Sequence, residues 1–164
     1  MATEKSFSDK LYKYSIIPQI LLIAALFYMY NLYVQPTAVA LIYAFISFCA
    51  IVVVLRMAIP SNHRKGVSYL KKKDFERAFR EFERSFAFFS RHRWIDKYRF
   101  VVLLSSSKTS YTEMALLNLG FCSAQVGKTA QAKEYYKKAI DLFHGSEFAE
   151  QSLAAIEQIE KSEG

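Results

Sequence analysis

The sequence predicts an all-α protein, an N-terminal transmembrane helical hairpin followed by a small α-helical repeat domain. Three observations carry this expectation. Two uncharged runs of about twenty residues, Ser15–Val34 and Pro36–Leu55, stand in tandem near the start. Beyond them, apolar and small residues recur at three- and four-residue spacing, the period of one helix face. The clearest such segment, Tyr111–Phe143, has a fainter copy around Gly66. The expected division is a polar tail over 1–13, two transmembrane helices within 14–59, and a helical domain over 61–164. That domain divides into a degenerate repeat (61–89), an insertion (90–109), a strong repeat (110–144) and a closing helix (146–160).

At 1.5 Å per residue, each uncharged run is long enough to cross a hydrocarbon core of ~30 Å. Two buried core helices in tandem would need a larger soluble shell than the rest of the chain supplies. Ala38-Val39-Ala40 looks like a signal-peptide cleavage site, but the run before it is too long and too aromatic, and cleavage would leave a chain beginning with another span. Tyr12, Tyr14, Tyr30 and Tyr33 lie near the ends of the first run, where rings anchor at a membrane interface. Gln35, Pro36 and Thr37 connect the runs, and Pro36 stops the first helix. Lys5, Lys10 and Lys13 precede the hairpin and Arg56, Arg64, Lys65 and Lys71 to Lys73 follow it, whereas the connection has no Lys or Arg. The positive-inside rule then places both termini and the repeat domain on the cytoplasmic side, or its equivalent in an organelle. The runs contain no Asp, Glu, Lys or His, which argues against an ion pathway. They contain no Gly, hence no Gly-x3-Gly packing motif.

The net charge of +7 is unevenly placed. Residues 1–55 carry +1, residues 56–100 carry +8 and residues 101–164 carry −2. A solvated helix face explains many charges of the basic block. Contact with anionic lipid headgroups explains it next, at roughly 1 kcal/mol per Lys or Arg. Nucleic-acid binding comes last, because no recognition motif accompanies the cations.

Pro60, Ser61 and Asn62 break the chain out of the second span, with Asn62 a plausible N-cap. Helices are expected over His63–Lys71 and Asp74–Phe89, the second with Phe75, Ala78, Phe79, Phe82 and Phe86 on its apolar stripe and Arg77, Arg80, Glu81 and Arg84 toward water. In the insertion, Trp94, Ile95, Tyr98, Val101 and Val102 share one face at 100° per residue, with Arg91, Arg93, Lys97 and Arg99 among them. That face either lies in a membrane interface or packs on the repeats. The expected membrane-surface set is Arg64, Lys65, Arg91, Arg93, Trp94, Lys97, Tyr98 and Arg99. Ser110-x-x-Glu113 is a capping box. His144 and Gly145 end the next helix, and Ser146 can cap the last.

Leu119-Gly120, Ala132-x3-Tyr136, Gly127 and Ala139 together resemble the tetratricopeptide repeat, a 34-residue helix–turn–helix unit. Ser123, Leu116 and His144 stand where the family has Tyr, Trp and Pro. Gly66, Tyr69, Ala78 and Phe82 fall at the same offsets upstream, with Lys73 for the turn Gly and Ser85 for the late Ala. The resemblance covers roughly Ser61 to Phe143 and implies a protein-binding groove built by the first helix of each repeat. Groove positions by that pattern are His63, Val67, Leu70, Met114, Leu117, Asn118, Phe121 and Ala124. Asn118 matches one position of the basic clamp that some members use for a terminal carboxylate. His63 and Val67 stand where the clamp has Lys and Asn, so an apolar ligand segment suits the groove better. The bland alternative is that these residues pack on the insertion or the last helix.

Catalytic chemistry finds little footing. Gly127-Lys128-Thr129 resembles the end of a phosphate loop, but the earlier Gly is out of register and a helix, not a strand, precedes it. Cys49 and Cys122 are too far apart for a disulfide framework, and His63, His92 and His144 are widely scattered. The expectation is a non-enzymatic, cofactor-free adaptor that binds a protein partner at a lipid bilayer and does not bind nucleic acid. The competing class is a structural subunit or assembly factor of a larger membrane complex that binds through the hairpin.

Overall fold

A computed structural model describes residues 16–105, 107, 109–143 and 145–163. The described residues form nine helices and no strand. They are α1 (Ile17–Tyr33), α2 (Thr37–Ala58), α3 (Ser61–Lys71), α4 (Phe75–Arg91), α5 (Arg93–Lys97), α6 (Arg99–Val102), α7 (Tyr111–Gln125), α8 (Thr129–Leu142) and α9 (Glu147–Glu163). They fall into two compact units. One holds residues 60–96 and 109–163; the other holds α1, α2 and residues 97–107.

In the hairpin unit, Pro18 sits in the first turn of α1, where its missing N–H costs nothing. Val34 is extended and ends α1, and Pro36, also extended, precedes α2. The two helices meet along Ala40 and Ala44, both fully buried. Small residues four apart let the backbones approach closely. Tyr30 ties the seam: its hydroxyl lies 2.8 Å from Ser47 Oγ and its ring 5.9 Å from that of Tyr43. Tyr30 is therefore a seam residue, not an outward interface anchor. Leu21, Met29, Leu41, Ile42, Phe45 and Ile46 face outward.

The expectation of two spans needs correction. Among the described residues, only α2, with 22 residues, is long and apolar enough to cross a membrane by length and composition. Helix α1 has 17 residues, about 25 Å of rise against a core of ~30 Å. The uncharged run overestimates it because Ile16 lies in a turn and Val34 is extended. Ser15, Tyr12, Tyr14 and the three N-terminal Lys lie outside the described residues. Helix α2 in turn continues past Arg56 to Ala58.

In the repeat unit, consecutive helices pack in order: α3 on α4, α4 on α7, α7 on α8 and α8 on α9. The second helix of the first repeat thus stacks on the first helix of the second, although the insertion separates them in sequence. Both repeats use the same close approach. A Cβ on Gly66 would lie 2.8 Å from the Phe82 ring, and one on Gly120 would lie 2.7 Å from the Tyr136 ring. Ala78 and Ala132 are both fully buried. The turns match as well: Lys73 has φ 58° where Gly127 has φ 74°. The left-handed conformation costs a side-chain-bearing residue roughly 1–2 kcal/mol and glycine nothing.

Several boundaries shift. Helix α3 begins at Ser61, so Asn62 lies inside it and Pro60 precedes it. Asp74 caps α4 by accepting the Arg77 N–H at 3.1 Å. Ser110 caps α7 by accepting the Glu113 N–H, also at 3.1 Å. Ser146 does not act as the expected cap, since its buried Oγ has no hydrogen-bond partner. The insertion is two short helices broken at Tyr98, and its expected face does not hold together: Ile95 is buried while Trp94, Tyr98 and Val101 are exposed.

Two substitutions check the repeat geometry in the intact protein. Gly120→Ala is expected to lower stability by ~1–3 kcal/mol, because the new methyl overpacks a buried ring. Lys73→Gly is expected to change it by no more than ~1 kcal/mol, toward higher stability, as relief of left-handed strain exceeds the added freedom of the unfolded chain. Thermal unfolding by circular dichroism in detergent reads both.

Candidate partner-binding surface

Helix α3 has Val67 and Leu70 half-buried against the core of Ala78, Phe82, Leu119 and Cys122. On α7, Leu117 packs on the core of Leu116, Ala132, Tyr136, Ala139 and Ala149. The Phe121 ring meets Phe75 edge-on at 6.2 Å. Asn118 donates to the Met114 carbonyl at 2.7 Å and so binds its own helix. None of the eight expected groove residues is exposed. Val67, Leu70, Leu117, Phe121 and Ala124 give part of their apolar surface to neighbouring helices and keep part of it open.

His63 is the clearest correction among them. It is buried, with Nδ1 3.3 Å from Ser85 Oγ and its ring edge-on to Phe82 (5.3 Å) and Tyr111 (5.4 Å). Burial pushes its pKa down from 6.5 to about 4, with the Asp96 carboxylate opposing the shift. His63 is a neutral core residue for a physical reason: Ser85, smaller than Phe or Leu, leaves room for an imidazole and offers it a polar partner.

Asp96 was not singled out by sequence. It is buried in α5, and its carboxylate sits at the start of α7. It accepts the Tyr111 N–H at 2.8 Å, the Thr112 N–H at 2.9 Å and the Thr112 hydroxyl at 2.5 Å. These amides belong to the first turn, where no intrahelical acceptor exists. The negative charge also complements the helix dipole. With Ser110 satisfying Glu113, the α7 N-terminus is capped twice, once locally and once by the insertion. The signal available in sequence was the lone acid between Trp94-Ile95 and Lys97, the only carboxylate in the insertion.

A different concavity is open. A cleft of about 380 Å³ is lined by Phe75, Glu76, Phe79 and Arg80 of α4, Ser123 of α7, and Val126, Lys128 and Gln131 around the α7–α8 turn. Phe79 is braced by Tyr135 at 5.9 Å. Its floor is aromatic and its rim carries both signs of charge. The visible sequence signal was the Phe75–Phe79 end of the α4 stripe, which runs on beyond Phe82, where Gly66 packs.

Of the expected membrane-surface residues, Arg64, Lys65, Arg91, Arg93, Trp94, Lys97 and Tyr98 are exposed. Arg99 is not. It is 2% exposed, its Nε donates to the Ser107 carbonyl at 3.0 Å, and its guanidinium lies 4.7 Å from the Phe100 ring centre. A fork of donors that closes a loop on backbone oxygen is held inside, so Arg99 leaves the surface set. Two further cations of the basic block form local pairs, Arg77 with Asp74 and Arg84 with Glu81. Burial pushes the Cys122 thiol up to about 11, which leaves it un-ionised near neutral pH.

Compared with known proteins, residues 115–143 match the family model described as the tetratricopeptide repeat. That stretch is α7 from Ala115, its turn, α8 and Phe143. No curated protein and no solved structure matches the chain. Repeats of this type generally bind protein partners, so the match supports a role in protein–protein interaction.

Two outcomes are expected from the buried polar residues. Asp96→Ala orphans two amides and should lower stability by ~1–3 kcal/mol. His63 has a folded pKa below its unfolded one, so the unfolded chain takes the proton first as pH falls. Its contribution is complete above pH 6.5 and declines as pH approaches 4, by at most ~3 kcal/mol. Comparing melting curves of the native chain and His63→Gln across that range should show a shallower pH dependence in the variant.

Proposed function

We propose that the chain is a membrane-anchored adaptor that captures a protein segment in the cleft between α4 and the α7–α8 turn, and that it binds rather than catalyses. The cleft carries this reading. It is the concavity formed where a first-repeat helix borders the matched repeat, and its aromatic floor with mixed-charge rim suits one apolar side chain flanked by polar groups. The anchor is the α1–α2 hairpin, with α2 crossing the bilayer and the shorter α1 running back along it, so that the chain enters and leaves on one side. Support comes from the outward surface of the hairpin, where large apolar side chains stand exposed along both helices, as at a membrane or partner contact. Charge asymmetry favours both termini and the repeat domain on the cytoplasmic face.

The competing reading, a subunit of a larger membrane complex that binds through the hairpin, draws on that same outward surface. A partner retained after deletion of the hairpin belongs to the repeat unit; one lost with the hairpin and indifferent to the cleft belongs to the complex.

Capture from mild-detergent extracts tests the cleft. Val126 is half-exposed in the cleft wall, so Val126→Glu should leave folding intact. A desolvated hot spot is worth a tenfold loss of partner or more. Ile159→Glu, on an exposed position of α9, should have little effect. Equal retention by both variants would remove the cleft from the account. For topology, single cysteines at Ser6 and Ser162 in a cysteine-free background should both resist an impermeant reagent in sealed cells; labelling of either one contradicts the assigned side.

A further inference from the structure

The second half of the insertion belongs to the hairpin unit. Leu104 is held left-handed, at φ 48°, and its carbonyl accepts two donors. Gln19 Nε2, in the first turn of α1, donates at 3.3 Å, and the Arg56 guanidinium, in the last turn of α2, donates to the same oxygen. Residues 99–104 are thereby fixed at one end of the hairpin. Arg99, Phe100, Leu103 and Leu104 are buried there. The outward side chains are Lys97, Tyr98 (44% exposed) and Val101 (56% exposed). The Lys97 ammonium lies 5.8 Å from the Tyr98 ring centre.

We propose that Lys97, Tyr98 and Val101 form a contact with the headgroup layer of a bilayer containing anionic lipid. The proposal rests on the hairpin being membrane-embedded. Continuity with the hairpin surface identifies the occupant. At the same end of the unit, Ile16 just before α1, Ile17 and Ile20 of α1 and Val53, Val54 and Met57 of α2 face outward. A tyrosine ring with an adjacent ammonium suits the boundary between acyl chains and phosphates. The buried row sets the depth: the Leu104 clamp joins the first turn of one helix to the last turn of the other, so the segment marks the level at which the hairpin leaves the hydrocarbon.

The test uses the full chain reconstituted in phosphatidylcholine vesicles with or without phosphatidylglycerol. On a Cys49→Ser, Cys122→Ala background, single cysteines replace Tyr98, Val101, Phe45 (mid-α2) and Lys138 (exposed on α8), each labelled with an environment-sensitive fluorophore. Probes at 98 and 101 should be quenched by a shallow lipid nitroxide and protected from aqueous iodide. The Phe45→Cys probe should respond to a deep nitroxide, and the Lys138→Cys probe to iodide. In anionic vesicles, Lys97→Gln should lower the lipid-to-water quenching ratio at 98 roughly fivefold, the loss of one interfacial cation. If Phe45→Cys is lipid-quenched while 98 and 101 see only iodide, the inference falls and the hairpin reading stands. If Phe45→Cys also sees only iodide, the hairpin reading fails and the inference with it. An unchanged ratio in Lys97→Gln overturns the assignment to anionic headgroups.

Discussion

The fold of the repeat unit depends on one carboxylate meeting one helix end. Helix α7 is the middle of the stack, with α4 on one side and α8 on the other. Its first turn presents amides that no residue of its own helix can satisfy. Ser110 takes one, and Asp96 takes two more together with the Thr112 hydroxyl. The acid comes from the insertion, so the segment that interrupts the repeats in sequence also secures the register of the second one. The Tyr111 ring, stacked on Phe89 at 4.8 Å and edge-on to His63, carries that register into the core of the first repeat.

With that end fixed, the two repeats share one packing rule. An absent side chain on the first helix admits a ring from the second, Phe82 over Gly66 and Tyr136 over Gly120. The rule tolerates variation wherever size is preserved. Ser85 occupies the place of Ala139 and uses its hydroxyl on His63. Lys73 takes the conformation of Gly127 at some cost in strain. Degeneracy of the first repeat is thus confined to positions where a larger or more polar residue still fits.

The all-α class and the helix pairs were legible because each rests on local spacing, and so were the positions of Gly66, Phe82, Gly120 and Tyr136, though not the contacts between them. The groove was not. Val67, Leu70, Leu117 and Phe121 do lie along the first helices, but how much of each stays open depends on the neighbouring helices, which periodicity does not encode. The insertion misled for a related reason. A helical wheel places apolar residues inside by composition, whereas here the charged Asp96 and Arg99 go inside because backbone groups await them, and Trp94 stays out. In the hairpin, which has no Gly-x3-Gly, Ala40-x3-Ala44 makes the same close approach with alanine.

The insertion is therefore a structural connector whose first half completes α7 and whose second half completes the hairpin unit, and the adaptor reading builds on that division. Amide hydrogen exchange at Tyr111 and Thr112, measured on the intact chain and on Asp96→Ala, tests it most directly. Both amides should exchange slowly in the native protein and at least tenfold faster in the variant, since ~1.4 kcal/mol of lost protection is a factor of ten. Amides that exchange rapidly in the native chain, or at the same rate in both, would contradict it.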